Sequence, residues 1–291
     1  MALQPVVWAG DTAHALTIHG RRRTYLLHHP ADRPALRSLP LVLVLHGGMG
    51  TARGIQRVSG MNAAADREEF LVAYPQGSSW RGWGRGTWNA GGCCGYAMHT
   101  QVDDVAFLRA VIDDIEQRDH ADPARVYVTG ISNGGMMAYR MACEAAERIS
   151  AIAPIAGAMH GPTCAPTQPV SVAIFHGTDD QHVLYDGGPS PVAHRERVDP
   201  SVSSAVAFWV AHNRCASQVD VARRGAVEQE TYHGCADGAD VALYRLMGQG
   251  HAWPGGRRGW WLGDRPSRAL SATDALWDFF RRHRRPAKDS S

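Results

Sequence analysis

The sequence predicts an α/β fold: one doubly wound, mostly parallel sheet with helices on both faces, in a single domain. Three observations predict it. Short, continuous runs of Leu, Val and Ile recur along the chain, as expected of strands covered on both faces. Segments of helical periodicity separate successive runs, which is the signature of βαβ units. No repeat period and no linker divides the 291 residues, whose 44% hydrophobic content suffices for one large core. The formal net charge of +2 implies no strong nucleic-acid or membrane field. No run of eighteen apolar residues offers a membrane span.

Residues 1–20 read as a ragged N-terminal lead-in, 21–285 as the α/β domain and 286–291 as a disordered basic and polar tail. Met1 to Asp11 lacks the basic and long apolar regions of a secretory signal. Arg23 to Pro30 reads as an outer strand ended by Pro30. Leu41 to Leu45 is a buried strand that runs into His46-Gly47-Gly48. A helix over Ile55 to Glu69 and a strand over Phe70 to Pro75 complete a first βαβ unit. Residues 76–101 carry many glycines, three tryptophans and two cysteines without periodicity, and a loop of that length in a compact domain is usually functional. Val105, Leu108, Val111, Ile112 and Ile115 form the apolar stripe of the next helix, with Asp103 and Asp104 at its positive end. Buried strands follow over Ile149 to Ile155 and Val170 to Phe175, then a helix over Ser201 to Asn213. The last strand covers Val241 to Leu246 and the last helix Ser271 to His283, capped by Ser271. The basic stretch Arg281 to Pro286 reads as a frayed, solvated end.

The stretch that organises the rest is Val126 to Met137, an apolar strand and a helix joined by Gly130-Ile131-Ser132-Asn133-Gly134. A chain that reverses from strand to helix so sharply needs glycine two positions either side of the tip. The bare five-residue pattern arises by chance in about one chain of this length in five, so its weight rests on the flanking strand and helix. Ser132 is then a nucleophile at the head of a helix whose dipole favours an oxyanion.

An activated serine needs a base, and the base a third group to fix its tautomer. In doubly wound hydrolases the chain order is Ser, acid, His, each on a loop after a strand. His176-Gly177-Thr178-Asp179-Asp180 follows one late strand, and Gly250-His251-Ala252-Trp253-Pro254-Gly255 follows the last. His251 is the expected base; spacing alone does not choose between Asp179 and Asp180. Two backbone N–H groups must hold the oxyanion. Asn133 should supply one and the His46-Gly47-Gly48 turn the other, with Gly48 favoured and Gly47 in reserve.

These motifs, with Trp88-Asn89-Ala90-Gly91-Gly92-Cys93-Cys94-Gly95 and Val102-Asp103-Asp104-Val105, stand in one order over residues 20–285. The sequence resembles the esterase family of polyhydroxybutyrate depolymerases and feruloyl esterases, including the LpqC-like lipoproteins. That resemblance implies an α/β-hydrolase domain and an ester substrate, small or polymeric, with no cofactor. It also implies Asp180 as the acid, since the family pattern is His-Gly-Thr-x-Asp. His182 and Leu184 depart from the apolar residue and proline usual there.

Six cysteines suit three disulfides and an oxidising, secreted or periplasmic location. Cys215 and Cys235 flank a polar segment and are expected to pair, as the resemblance also implies; vicinal Cys93 and Cys94 are not expected to bond each other. No Cys-x-x-Cys spacing suggests zinc. Beside the centre, His46, Trp88 and Trp253 are candidate substrate contacts, the tryptophans as flat apolar walls or as packing between loop and core. Trp260 and Trp261 are candidates for an exposed platform. Two rival readings are a metal hydrolase built on His176, Asp180, His182 and His251, and a non-catalytic binding module. A monomer that binds no nucleic acid completes the expectation.

Overall fold

The computed structural model describes residues 10–31, 38–82, 84–161, 164–192, 197–259 and 263–286. Strands β1 (Gly10–Ile18), β2 (Arg21–His29) and β3 (Leu39–Leu45) come first, then helices α1 (Ala52–Ser59) and α2 (Met61–Glu68) and strand β4 (Leu71–Pro75). Short α3 (Gly95–His99) and long α4 (Asp104–Asp119) precede β5 (Ala121–Ile131), α5 (Asn133–Glu144), β6 (Ala151–Ile155) and β7 (Ser171–Gly177). A two-residue ribbon pairs β8 (Gly188–Pro189) with β9 (Val198–Asp199) before α6 (Val202–His212). The chain ends with β10 (Val219–Arg224), β11 (Val227–Tyr232), β12 (Val241–Leu246) and α7 (Ala272–Phe280).

The ten-stranded sheet runs β1-β2-β4-β3-β5-β6-β7-β12-β11-β10. Its centre, β4-β3-β5-β6-β7-β12, is parallel throughout. Both margins are antiparallel, β1 and β2 on one side and β11 and β10 on the other. Along β3, alternate side chains serve opposite layers. Leu41, Leu43 and Leu45 join the core under α4, α5 and α6, with Phe107, Met137 and Trp209. Val42 and Val44 join the core under α1, α2 and α7, with Ile55, Met61 and Phe280. A strand buried on both faces must be apolar at every position, which is why β3 reads as an unbroken run.

Four expectations need correction. Residues 10–18 of the supposed lead-in form edge strand β1, in register with β2 from Gly10 opposite His29 to Ile18 opposite Arg21. The single helix over 55–69 is two, because Gly60 adopts φ 64° and closes α1 on the Gln56 carbonyl. The polar segment before the last strand holds two more strands, β10 and β11. The basic C-terminal stretch is docked as far as Arg285. Tyr127 Oη donates to the His283 carbonyl at 2.7 Å, and Arg285 reaches the Pro123, Ala124 and Glu147 carbonyls. Among the described residues no helix is long and apolar enough to cross a membrane.

All six cysteines are paired, as Cys93–Cys94, Cys143–Cys164 and Cys215–Cys235. The vicinal pair departs from the expectation that Cys93 and Cys94 do not bond each other. Cys215–Cys235 agrees with expectation and closes the β10–β11 hairpin between α6 and β12. Its 20-residue separation predicts a loss of about 3 kcal/mol in the Cys215→Ser/Cys235→Ser double variant, read from the urea midpoint.

Candidate active site

Strand β5 delivers Ser132 to the carboxyl edge of the parallel strands, and α5 begins at the next residue. Ser132 has φ 58° and ψ −126°, a conformation costly for a side-chain-bearing residue. Backbone bonds on both sides hold it: its N–H donates to the Ile155 carbonyl at 2.9 Å, and its own carbonyl accepts from Met136 at 2.9 Å. A Cβ on Gly130 would stand 2.7 Å from the Leu45 carbonyl oxygen, and one on Gly134 would strike the Leu45 and His46 carbonyls. The elbow therefore lies main chain against main chain on the end of β3. In consequence Gly47 abuts Ser132, with 3.3 Å from an ideal Cβ to Ser132 Cβ, and Gly48 faces Asn133 at 3.8 Å.

The glycine- and tryptophan-rich loop fastens these two turns together. Asn133 Oδ1 accepts from the Trp88 N–H at 2.7 Å, and its Nδ2 donates to the Trp88 carbonyl at 3.0 Å. Trp88 Nε1 donates to the His46 carbonyl at 2.9 Å. His46 Nδ1 donates to the Gly47 carbonyl at 2.8 Å, and its Nε2 accepts from the Gly77 N–H at 2.9 Å. Both ring nitrogens are thus used by a neutral tautomer. A buried ion pair braces the loop from below: Asp104 takes Arg23 Nη2 at 2.7 Å and the Asn89 N–H at 2.8 Å. Burial pushes the Asp104 carboxyl up and the Arg23 guanidinium down, and their mutual attraction opposes both shifts.

Asp180 and His251 meet on the loops after β7 and β12. Asp180 Oδ2 lies 2.7 Å from His251 Nδ1. Asp180 Oδ1 accepts the N–H groups of His182 at 2.8 Å and Val183 at 2.9 Å. Burial raises the Asp180 pKa, but the His251 hydrogen bond and charge, His176 and the Val183 N–H outweigh it, so it lies below the usual carboxylate value. Asp179 is exposed and bonded to Thr178, whereas Asp180 is the one of the two that pairs with His251. With Nδ1–H committed to Asp180, His251 keeps its Nε2 lone pair for a proton. The His251 backbone is held in turn, its N–H donating to Asp264 Oδ2 at 2.6 Å.

Several candidates take other roles. Trp88 and Trp253 are buried, at 0% and 1% exposure, so neither offers a wall to a ligand. Trp253 Nε1 donates to Thr273 Oγ1 and packs α7. His46 is buried too, and acts through backbone bonds rather than substrate contact. Trp260 and Trp261 lie outside the described residues. His176 is buried beneath Asp180, with Nε2 on the Val183 carbonyl at 2.8 Å. His182 stands edge-on to the His251 ring, centroids 4.8 Å apart, its pKa lowered by burial and by that neighbour. Among the described residues no group of three His, Cys, Asp or Glu side chains could hold a metal ion. Sequence reasoning missed the Asn133 side-chain clamp, for which the motif gives no signal, and Asp264, which lies in an Arg-rich stretch without pattern.

A model of the family described as esterase PHB depolymerase matches residues 23–188. The chain belongs to this family. It is a carboxylic ester hydrolase with an α/β-hydrolase fold. The Nocardia uniformis subsp. tsuyamanensis protein NocK, whose name assigns it provisionally to the esterases, is 33% identical across 95% of this chain and 84% of its own. Feruloyl esterase B of Piromyces equi is 31% identical over 82% of this chain but 44% of its own length. The chain thus spans under half of that relative. The solved acetyl xylan esterase from Aspergillus awamori superposes with a TM-score of 0.61 over 93% of this chain and 99% of its own; at 15% identity the likeness is one of fold.

Burial holds the His46 pKa down to about 4 from 6.5. The unfolded chain takes up this proton near pH 6.5 and the folded chain only near pH 4, so acidification through that window favours unfolding. Between pH 7 and pH 4 the group should cost about 3 kcal/mol of stability. Urea unfolding across that range should therefore be less pH-dependent in His46→Gln than in the parent protein.

Proposed function

We propose that Ser132, His251 and Asp180 act as a nucleophile, base and orienting acid in ester hydrolysis. The observation that carries the reading is the Asp180 Oδ2–His251 Nδ1 pair at 2.7 Å, on the sheet edge where Ser132 tops its strand. His251 Nε2 takes the Ser132 proton as Oγ attacks the ester carbonyl, then returns it to the leaving alcohol. Asp180 stabilises the imidazolium formed between those steps. The Asn133 N–H and the Gly48 N–H, with Gly47 in reserve, hold the oxyanion; α5 adds its dipole at the same place. Water, activated by His251, then releases the acyl group. All three side chains come from one chain, so a second copy is not needed to complete the set.

The substrate class proposed first is a hydroxyalkanoate-type ester, the class named in the family description. Feruloyl or acetyl esters of polysaccharide are the second reading, supported by the relative from Piromyces equi. Ser132→Ala should lower kcat on p-nitrophenyl butyrate by at least about 10⁴-fold with the fold intact. The parent protein should be labelled by a fluorophosphonate at Ser132 alone. Folded protein that stays unlabelled, or a Ser132→Ala variant that keeps its activity, would remove this reading.

A further inference from the structure

The segment that carries His251 also carries a feature that the reaction itself does not use. Beyond Trp253 the chain lines an open depression of about 770 Å³ against the α1–α2 junction at Val58, Ser59 and Gly60. Four arginines border it: Arg257, Arg258, Arg265 and Arg268. All four are exposed. Among the described residues none of the four forms an ion pair, and the hydrogen bond of Arg258 goes to the Gly263 carbonyl at 2.6 Å. The nearest carboxylate in sequence, Asp264, is used elsewhere: its Oδ2 holds the His251 N–H and lies over Gly250.

Position and stiffness tie this depression to the active site. Its far wall is stapled to the base loop: Gln249 Nε2 donates to the Arg265 carbonyl, Ser267 donates to Gln249 Oε1 at 2.5 Å, and Gly255 donates to the Ser267 carbonyl at 2.8 Å. Its near wall is the end of α1, the eight-residue helix that starts just past the Gly47–Gly48 turn. At 1.5 Å per residue α1 is about 12 Å long. Unpaired guanidinium groups present paired N–H donors that match an oxyanion such as carboxylate.

We infer that this depression is a carboxylate-binding subsite that holds the anionic part of an ester substrate while its reactive bond lies at Ser132. The inference rests on the esterase reading above and narrows the substrate to esters carrying carboxylate. Two sources supply that chemistry, the free acid end of a hydroxyalkanoate oligomer and the uronates of an acidic polysaccharide ester.

The test compares kcat/KM for matched probes in the parent protein and in Arg265→Gln/Arg268→Gln. One pair is a hydroxybutyrate trimer with a free carboxylate against its carboxamide. The other is acetylated polygalacturonate against acetylated xylan, read as acetate release. At least one anionic probe should be favoured about tenfold over its neutral partner. That ratio should fall toward one in the double variant and in 0.5 M NaCl. The pair that shows the preference identifies the source. Equal rates within both pairs, or a preference unchanged in the double variant, would overturn the inference. Turnover of p-nitrophenyl butyrate is scored separately. If the protein hydrolyses no ester at all, the esterase reading fails by itself. The subsite is then judged by calorimetric binding of the same four probes, where absence of any anion preference overturns it.

Discussion

The geometry of the site depends on one close approach, that of the β5–α5 elbow to the end of β3. It is possible only because residues 130 and 134 have no side chains: any Cβ there would meet the carbonyls of Leu45 or His46. Once the two turns touch, the rest follows in order. Ser132 comes to lie beside Gly47, and Asn133 beside Gly48. The strained Ser132 conformation is then held by sheet and helix hydrogen bonds on either side.

Around that contact the protein places groups whose charge state is settled in advance. His46 is kept neutral by burial and by a hydrogen bond at each ring nitrogen. Asp180 is kept ionised by two backbone donors and His251. His251, half-buried at the loop tip, commits Nδ1 to Asp180 and leaves Nε2 uncommitted. A serine hydrolase needs that asymmetry, because the base must exchange a proton twice per turnover while its surroundings keep theirs. Within the 76–101 loop, Trp88 has a structural part. Trp88, which sequence alone offered either as a substrate wall or as packing, ties the His46 and Asn133 turns together through its indole and its backbone.

What the sequence revealed follows from burial. Strands β3 to β7 and β12 are covered on two faces and read as apolar runs, and the serine elbow announces itself through its glycines. The margins were harder. Every residue of β10 is exposed, so Val219-Asp220-Val221-Ala222-Arg223-Arg224 shows no buried face from which to infer a strand. In β1 the side chains do alternate in burial, but the segment is short of large apolar residues. Gly60 was visible as a break between α1 and α2, yet the helical pattern on either side masked it. Within the site, Ser132, Asp180 and His251, the residues proposed for catalysis, stood out because each follows a strand. Side chains that act on neighbouring backbone, such as Asn133 and Asp264, leave no periodic or spacing trace.

The docked C-terminal stretch has a practical consequence. Arg285 grips the carbonyls at Pro123 and Ala124, where β5 begins, and Ser132 crowns the other end of that strand. Eight residues of extended chain put about 25 Å of sheet between them. A tether fixed just past Arg285 would leave the reacting rim facing outward from a bead or sensor surface. For an enzyme offered an insoluble substrate, that orientation decides whether the rim can meet it at all.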